Sequence, residues 1–237
     1  MPWYSNNTVA VVTGANKGIG YEIAKLLRIE GLTVILTARD PEKGQAAVSK
    51  ISQETARVKN GGQVIFQPLD ITNVTSIAEF GSWLGRELGM LDILVNNAGM
   101  AYHGNTFGST EAQLTIETNV NGTINLCEHL IPFLNVRNPA KPRIVNVCSS
   151  AGKLKIVREP LRARFQTART VEDVKELMNK FVSDIDGGTH QAAGWPNTMY
   201  GVSKLGMAAY IFQTVHFGPE GRDPHDFSQY CDVLAEK

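Results

Sequence analysis

The stretch Val9-Ala10-Val11-Val12-Thr13-Gly14-Ala15-Asn16-Lys17-Gly18-Ile19-Gly20 decides how this chain folds. Four consecutive apolar residues run straight into a turn rich in glycine, and beyond it Ile19, Ile23, Leu26 and Leu27 fall on one helical face until Gly31 stops the helix. The pattern is strand, turn, helix. Such a turn leaves backbone N–H groups and the positive end of a helix dipole facing outward, where a pyrophosphate can sit. Gly14 permits the tight turn, and Gly18 and Gly20 let a ligand and the backbone approach without a Cβ between them.

The alternation continues along the chain: strand Thr33 to Thr37, helix Pro41 to Lys59, strand Gln63 to Pro68, helix Val74 to Leu88 and strand Leu91 to Val95. A helix within Ser109 to Leu134 and a strand Arg143 to Cys148 follow. Near-continuously apolar strands are expected where both faces are covered, and helical crossovers between them imply a parallel sheet with right-handed connections. The fold class is therefore α/β, a doubly wound, Rossmann-like parallel sheet in one domain over residues 1–237.

Composition agrees with that size. The chain has 237 residues, 43% of them hydrophobic, and a formal net charge of zero, which offers no electrostatic reason to bind nucleic acid. No apolar run approaches the roughly 20 residues that cross a bilayer, and Met1 to Thr8 lacks the pattern of a signal peptide, so a cytoplasmic protein that does not enter membranes is expected. Cys127, Cys148 and Cys231 lack metal-ligand spacing and read as free thiols, and no metal site is expected.

A second motif carries the chemistry. Tyr200-Gly201-Val202-Ser203-Lys204 places a phenol and an ammonium one helical turn apart. Delivering a hydride to a carbonyl requires a proton for the developing alkoxide, and a tyrosine of ordinary pKa ~10 is poorly matched to neutral pH. A neighbouring ammonium favours tyrosinate, and a shift of about 3 units corresponds to roughly 4 kcal/mol. Ser149-Ser150, at the C-terminal end of the fifth strand, can hold the carbonyl oxygen. At the end of the second strand Arg39, with Lys17 in the glycine turn, can pair with a ribose 2′-phosphate, which favours NADP(H) over NAD(H), although Asp40 adjoins Arg39.

These residues resemble the short-chain dehydrogenase/reductase family, and within it the carbonyl reductases and menthone-reductase-like enzymes. The glycine turn from Thr13 to Gly20, Asn96-Asn97-Ala98-Gly99, Ser149-Ser150 and Tyr200 to Lys204 match its motifs in order, and Gly194-Trp195-Pro196-Asn197 supports the narrower assignment. The resemblance implies reduction of a small ketone or aldehyde by NADPH. Ser150 is then the carbonyl anchor, Tyr200 the proton donor, Lys204 its modulator and a nicotinamide-ribose ligand, and Asn119 the support of a proton-relay water through a helix irregularity. Cofactor contacts fall on Gly14, Asn16, Lys17, Gly18, Ile19, Gly20, Arg39, Asp70 (at the adenine), Ile71, Asn97, Ala98, Gly99, Tyr200 and Lys204.

Two departures accompany the resemblance. Ser150 and Tyr200 are 50 positions apart, and the intervening insertion, 152–195, implies a helical excursion over the surface that other members use to dimerise. Val171 to Val182 reads as one of its helices with Thr170 as N-cap, and a monomer is expected. After Lys204 only 33 residues follow, with no strand among them. Gly218-Pro219-Glu220-Gly221 reads as a helix stop, and Phe227, Tyr230, Cys231 and Leu234 form one stripe of a short helix near 224–235. The tail, 218–237, thus reads as shortened and divergent. Five strands instead of seven are expected, with the fifth at an open edge. The alternative function is an impaired isoform that binds nucleotide and acts as a binding or regulatory protein.

Overall fold

The computed structural model describes residues 4–59, 61–102, 104, 106–135 and 142–215. Their contacts group into two compact units, Met1–Ala98 with Asn125–Val147, and Gly99–Ile124 with Cys148–Lys237.

The first unit holds the sheet. Strands β1 (Val9–Val12), β2 (Thr33–Ala38), β3 (Val64–Pro68), β4 (Ile93–Asn96) and β5 (Arg143–Asn146) pair in parallel in the order β3-β2-β1-β4-β5. Strand order reverses between β1 and β4, and ligands of open α/β sheets bind beyond the C-terminal strand ends at such a switch point. Helices α1 (Gly18–Ile29), α2 (Pro41–Glu54) and α3 (Val74–Glu87) make the crossovers. Ala10, Val12, Val34, Leu36 and Val95 of the sheet form a core with Tyr21 and Ala24 of α1 and Ala47, Val48 and Ile51 of α2. Burying each large apolar side chain in it stabilises the fold by about 1.5–3 kcal/mol.

Several elements depart from the expected ranges, β4 among them, which opens at Ile93 rather than Leu91 and closes at Asn96 rather than Val95. Helix α2 ends at Glu54 rather than Lys59, because the Thr55 hydroxyl turns back to donate to the Ile51 carbonyl and the Arg28 guanidinium donates to the Thr55 carbonyl at 3.2 Å. Strand β5 stops at Asn146 and is not covered on both faces: Ile144 and Val145 are 37% and 41% exposed. Among the described residues it pairs with β4 alone, as a fifth strand at an open edge would. The single helix expected within Ser109 to Leu134 is α4 (Ser109–Ile116), a π turn (Glu117–Asn121), α5 (Gly122–Leu130) and a 3-10 turn (Ile131–Phe133).

In the second unit the insertion is helical throughout much of its length: α6 (Leu161–Thr167), α7 (Val171–Asp186) and α8 (His190–Ala193), followed by α9 (Met199–Val215). Helix α7 begins where the sequence predicts and runs four residues further. Its capping box is complete, with the Thr170 hydroxyl accepting from the Asp173 N–H and the Asp173 carboxylate accepting from the Thr170 N–H. Val174, Leu177, Met178 and Phe181 are its buried stripe, and α7 packs on α4 and α9. Trp195 meets Phe165 edge-on at 6.0 Å and Phe181 at 5.1 Å, while its indole N–H donates to Asp184 at 2.8 Å. The helix stop at 218–221 and the helix expected near 224–235 lie outside the described residues.

Candidate active site

The candidates for nucleotide contact belong to the first unit, apart from Gly99, Tyr200 and Lys204. Where β1 ends, the buried Thr13 hydroxyl accepts from the N–H groups of Asn97 and Ala98 at 3.0 and 2.9 Å and donates to the Val95 carbonyl at 3.3 Å. The Asn97 amide donates to the carbonyls of Thr13 and Gly14 at 2.8 and 3.2 Å. The loop after β4 is thereby stitched to the glycine turn, which explains why an asparagine is needed there whatever else it touches. Gly14 has φ +61°, and a Cβ on it would lie 2.9 Å from the Ala98 Cα. Gly18 has the same φ with open space where its Cβ would be. A Cβ on Gly20 would strike the Asn97 amide.

Helix α1 starts at Gly18 after an extended Lys17 whose side chain makes no capping bond. A twelve-residue helix with an open glycine and no side-chain cap at its start fits a pyrophosphate, because anionic oxygens there take the place of the absent cap. Lys17, Ile19 and Arg39 are exposed and Asn16 is half-buried. Asp40 is occupied as N-cap of α2: its carboxylate accepts from the Lys43 N–H at 3.1 Å and pairs with the Lys43 ammonium at 2.6 Å, and the Lys43 side chain holds its carboxyl below the usual range. That removes the acid as a rival to Arg39 at this strand end. Asp70 accepts from the N–H and hydroxyl of Thr72 at 2.9 and 2.7 Å, and Ile71 is buried.

The catalytic candidates belong to the second unit, with Gly99 exposed at the start of its first loop. Tyr200 is half-buried in the first turn of α9, and the Lys204 ammonium lies 5.7 Å from the centre of its ring. Lys204 is only 7% exposed. Burial pushes its ammonium pKa below the ordinary lysine value, opposed in smaller part by Cys148. Residues Ser150–Gly152 form a 3-10 turn packed on α9. A Cβ on Gly201 would stand 3.0 Å from the Ala151 carbonyl, so the turn rests against the helix backbone. Ser149 is the half-buried N-cap of that turn, its hydroxyl oxygen accepting from the Ala151 N–H at 3.2 Å, whereas Ser150 is exposed.

Asn119, 2% exposed, sits in the π turn that interrupts α4 and α5, the helix irregularity which the resemblance implies. Its side chain accepts from the Met100 N–H at 2.7 Å and donates to the Met100 carbonyl at 2.8 Å and to the Ser203 hydroxyl at 2.9 Å. Both amide hydrogens are thus committed. Sequence reasoning missed Ser203 and Met100 as parts of this cluster. Ser203 stood inside the quoted motif, but only the folded backbone brings Met100 and Asn119 to it.

Residues 8–161 match the short chain dehydrogenase family. The chain is 43% identical over 209 residues to carbonyl reductase (NADPH) 1 of Mus musculus, covering 86% of this chain and 72% of that protein. It is 41% identical over 214 residues to carbonyl reductase (NADPH) 1 of Homo sapiens, covering 88% and 73%. Among solved structures it resembles menthone neomenthol reductase from Mentha piperita (TM-score 0.79, 32% identity, 88% of this chain and 84% of that one). Salutaridine reductase from Papaver somniferum is similarly alike (TM-score 0.78, 31% identity, 88% and 82%). With the phosphate turn, the Tyr200–Lys204 pair and these likenesses in agreement, the chain belongs to the short chain dehydrogenase family.

Proposed function

We propose that this protein reduces a ketone or aldehyde with NADPH. The observation that carries the reading is the buried Lys204 ammonium over the Tyr200 ring, on a helix against which the serine turn is packed. Bound NADPH supplies the hydride. Gly14, Gly18, Gly20 and the open start of α1 hold its pyrophosphate, and Lys17 and Arg39 take the 2′-phosphate. Tyr200 donates the proton that the new alkoxide needs, and Lys204 favours the tyrosinate left behind.

The hydroxyl that grips the carbonyl oxygen comes from the Ser149–Ser150 pair. Ser150 is the residue expected from the motif. Ser149 has the better environment, being half-buried with its oxygen already accepting an N–H, so that its own proton is free to point at a carbonyl oxygen. We assign the anchor to Ser149. A relay through Asn119 would use its main-chain carbonyl, which already accepts from the Thr123 hydroxyl at 3.3 Å and has a second lone pair, since the side-chain hydrogens are taken. The likeness to two carbonyl reductases named for NADPH and to two plant reductases supports this reading over a nucleotide-binding protein without turnover.

We further propose a monomer acting in the cytoplasm. Packing of α7 on α4 and α9 supports the first, and the second carries over the sequence expectation. Among the described residues no helix is long and apolar enough to cross a membrane. The deciding experiment follows NADPH oxidation at 340 nm by the purified chain with quinones, aldehydes and cyclic ketones. Oxidation dependent on the carbonyl supports the reading, and NADPH binding without turnover across the panel favours the binding protein instead.

A further inference from the structure

Ser203 is fully buried between Tyr200 and Lys204 in α9, and its hydroxyl is used twice. The proton goes to the Tyr200 carbonyl at 2.8 Å, and the oxygen accepts from the Asn119 amide at 2.9 Å. A serine hydroxyl has one proton, so the direction of this chain is fixed: Asn119 N–H to Ser203 oxygen, Ser203 O–H to Tyr200 carbonyl. The same Tyr200 carbonyl is the one that the helical pattern pairs with the Lys204 N–H. Asn119 is in turn clamped from both sides by the backbone of Met100.

We propose that Ser203 is a positioning residue for the reaction, tying the helical turn that carries Tyr200 and Lys204 to the π turn at Asn119. The inference rests on the reductase reading above. Ser203 touches no reacting atom. It acts by holding the backbone of the proton donor, and through it the direction in which the phenol leaves the helix, against a point that cannot rotate. Met100 holds the far side of that point, so a loop and two helical segments share one hydrogen-bonded node. An alanine removes a donor and an acceptor together, leaving one buried Asn119 hydrogen without a partner and the first turn of α9 free to shift. A misplacement well under a hydrogen-bond length costs rate without costing cofactor affinity.

The test compares the chain with Ser203→Ala and Ser203→Thr, the second keeping the hydroxyl. For Ser203→Ala we expect kcat for a carbonyl substrate to fall about tenfold or more while the KM and Kd for NADPH change less than about twofold, and Ser203→Thr to recover most of the lost rate. Bound NADPH fluorescence reports that each variant is folded. A readout that needs no turnover is amide hydrogen exchange over the first turns of α9, residues 199–204. With the tie to Asn119 lost, exchange there should speed up about fivefold or more in Ser203→Ala and return in Ser203→Thr. An unchanged kcat and exchange rate in Ser203→Ala would overturn the proposal. So would equal losses in both variants, which would mean that space rather than the hydroxyl matters, or a loss of NADPH affinity parallel to kcat, which would mean general structural damage. A wild-type chain without turnover, together with faster exchange in Ser203→Ala, would sink the reductase reading and leave the positioning role standing.

Discussion

Gly152 lies so close to Lys204 that a side chain has no place between them: a Cβ on Gly152 would stand 2.5 Å from the Lys204 carbonyl carbon and 2.7 Å from the Leu205 nitrogen. Both obstacles are backbone inside a buried helix, so neither can swing away. The serine turn is therefore held to the helix of Tyr200 by the absence of a methyl group. Gly152→Ala should force them apart, lowering stability by about 1–3 kcal/mol and reducing kcat. Thermal denaturation and steady-state kinetics on the same preparation check it, and an unchanged Tm with unchanged kcat would refute it.

Proton chemistry and stability should separate at the Tyr200–Lys204 pair. Tyr200→Phe should lower kcat by ~10² or more with NADPH affinity nearly unchanged, whereas Lys204→Met should harm both. Lys204→Met should nevertheless leave the protein without nucleotide at least as stable as the parent at pH 7, because it removes a charge whose burial is unfavourable. The folded pKa of Lys204 lies below its unfolded value, so between the two the unfolded chain binds the extra proton and parental stability rises with pH. The stability gap between parent and variant should narrow as pH rises toward the ordinary lysine value, and calorimetry between pH 7 and pH 10 measures it.

Cofactor preference should reside in two exposed cations. With Asp40 committed to Lys43, Arg39→Ala and Lys17→Ala should each raise the Kd for NADPH about tenfold, roughly 1.4 kcal/mol, and leave the Kd for NADH within about twofold. Isothermal titration decides it. Equal losses for both nucleotides would remove the phosphate-recognition argument.

The two serines make a discriminating pair. Ser149→Ala should lower kcat/KM by ~10² and Ser150→Ala by less than about threefold, as expected if the half-buried hydroxyl meets the carbonyl oxygen. The reverse ranking would restore the sequence expectation.

At the rim of the sheet, Ile144 and Val145 expose apolar surface on β5. In the monomer proposed above, this edge is the face through which copies would aggregate on concentration, and Ile144→Lys should reduce that aggregation in light scattering without lowering NADPH affinity. An identical scattering profile would show that this edge is not what associates.

Local chemistry made much of this protein legible from its sequence. The strand, glycines and helix at Val9–Ile29 announce themselves because their requirements are short-range: φ +61° at Gly14 and Gly18, and an apolar face at helical spacing. Thr170 and Asp173 cap α7 by a rule that spans three residues, and Tyr200 and Lys204 meet because one helical turn separates them. What tertiary structure alone decided is long-range. The burial that depresses the Lys204 pKa and the clamp of Met100, 19 positions away, on Asn119 depend on which backbones meet, as does the link from Asn119 to Ser203 across 84 positions. The proposal of Ser149 over Ser150 rests on exposure, which two identical residues in a row do not reveal. Hydrogen-bond partners and desolvation are properties of a packed interior, and no periodicity in the chain encodes them before it folds.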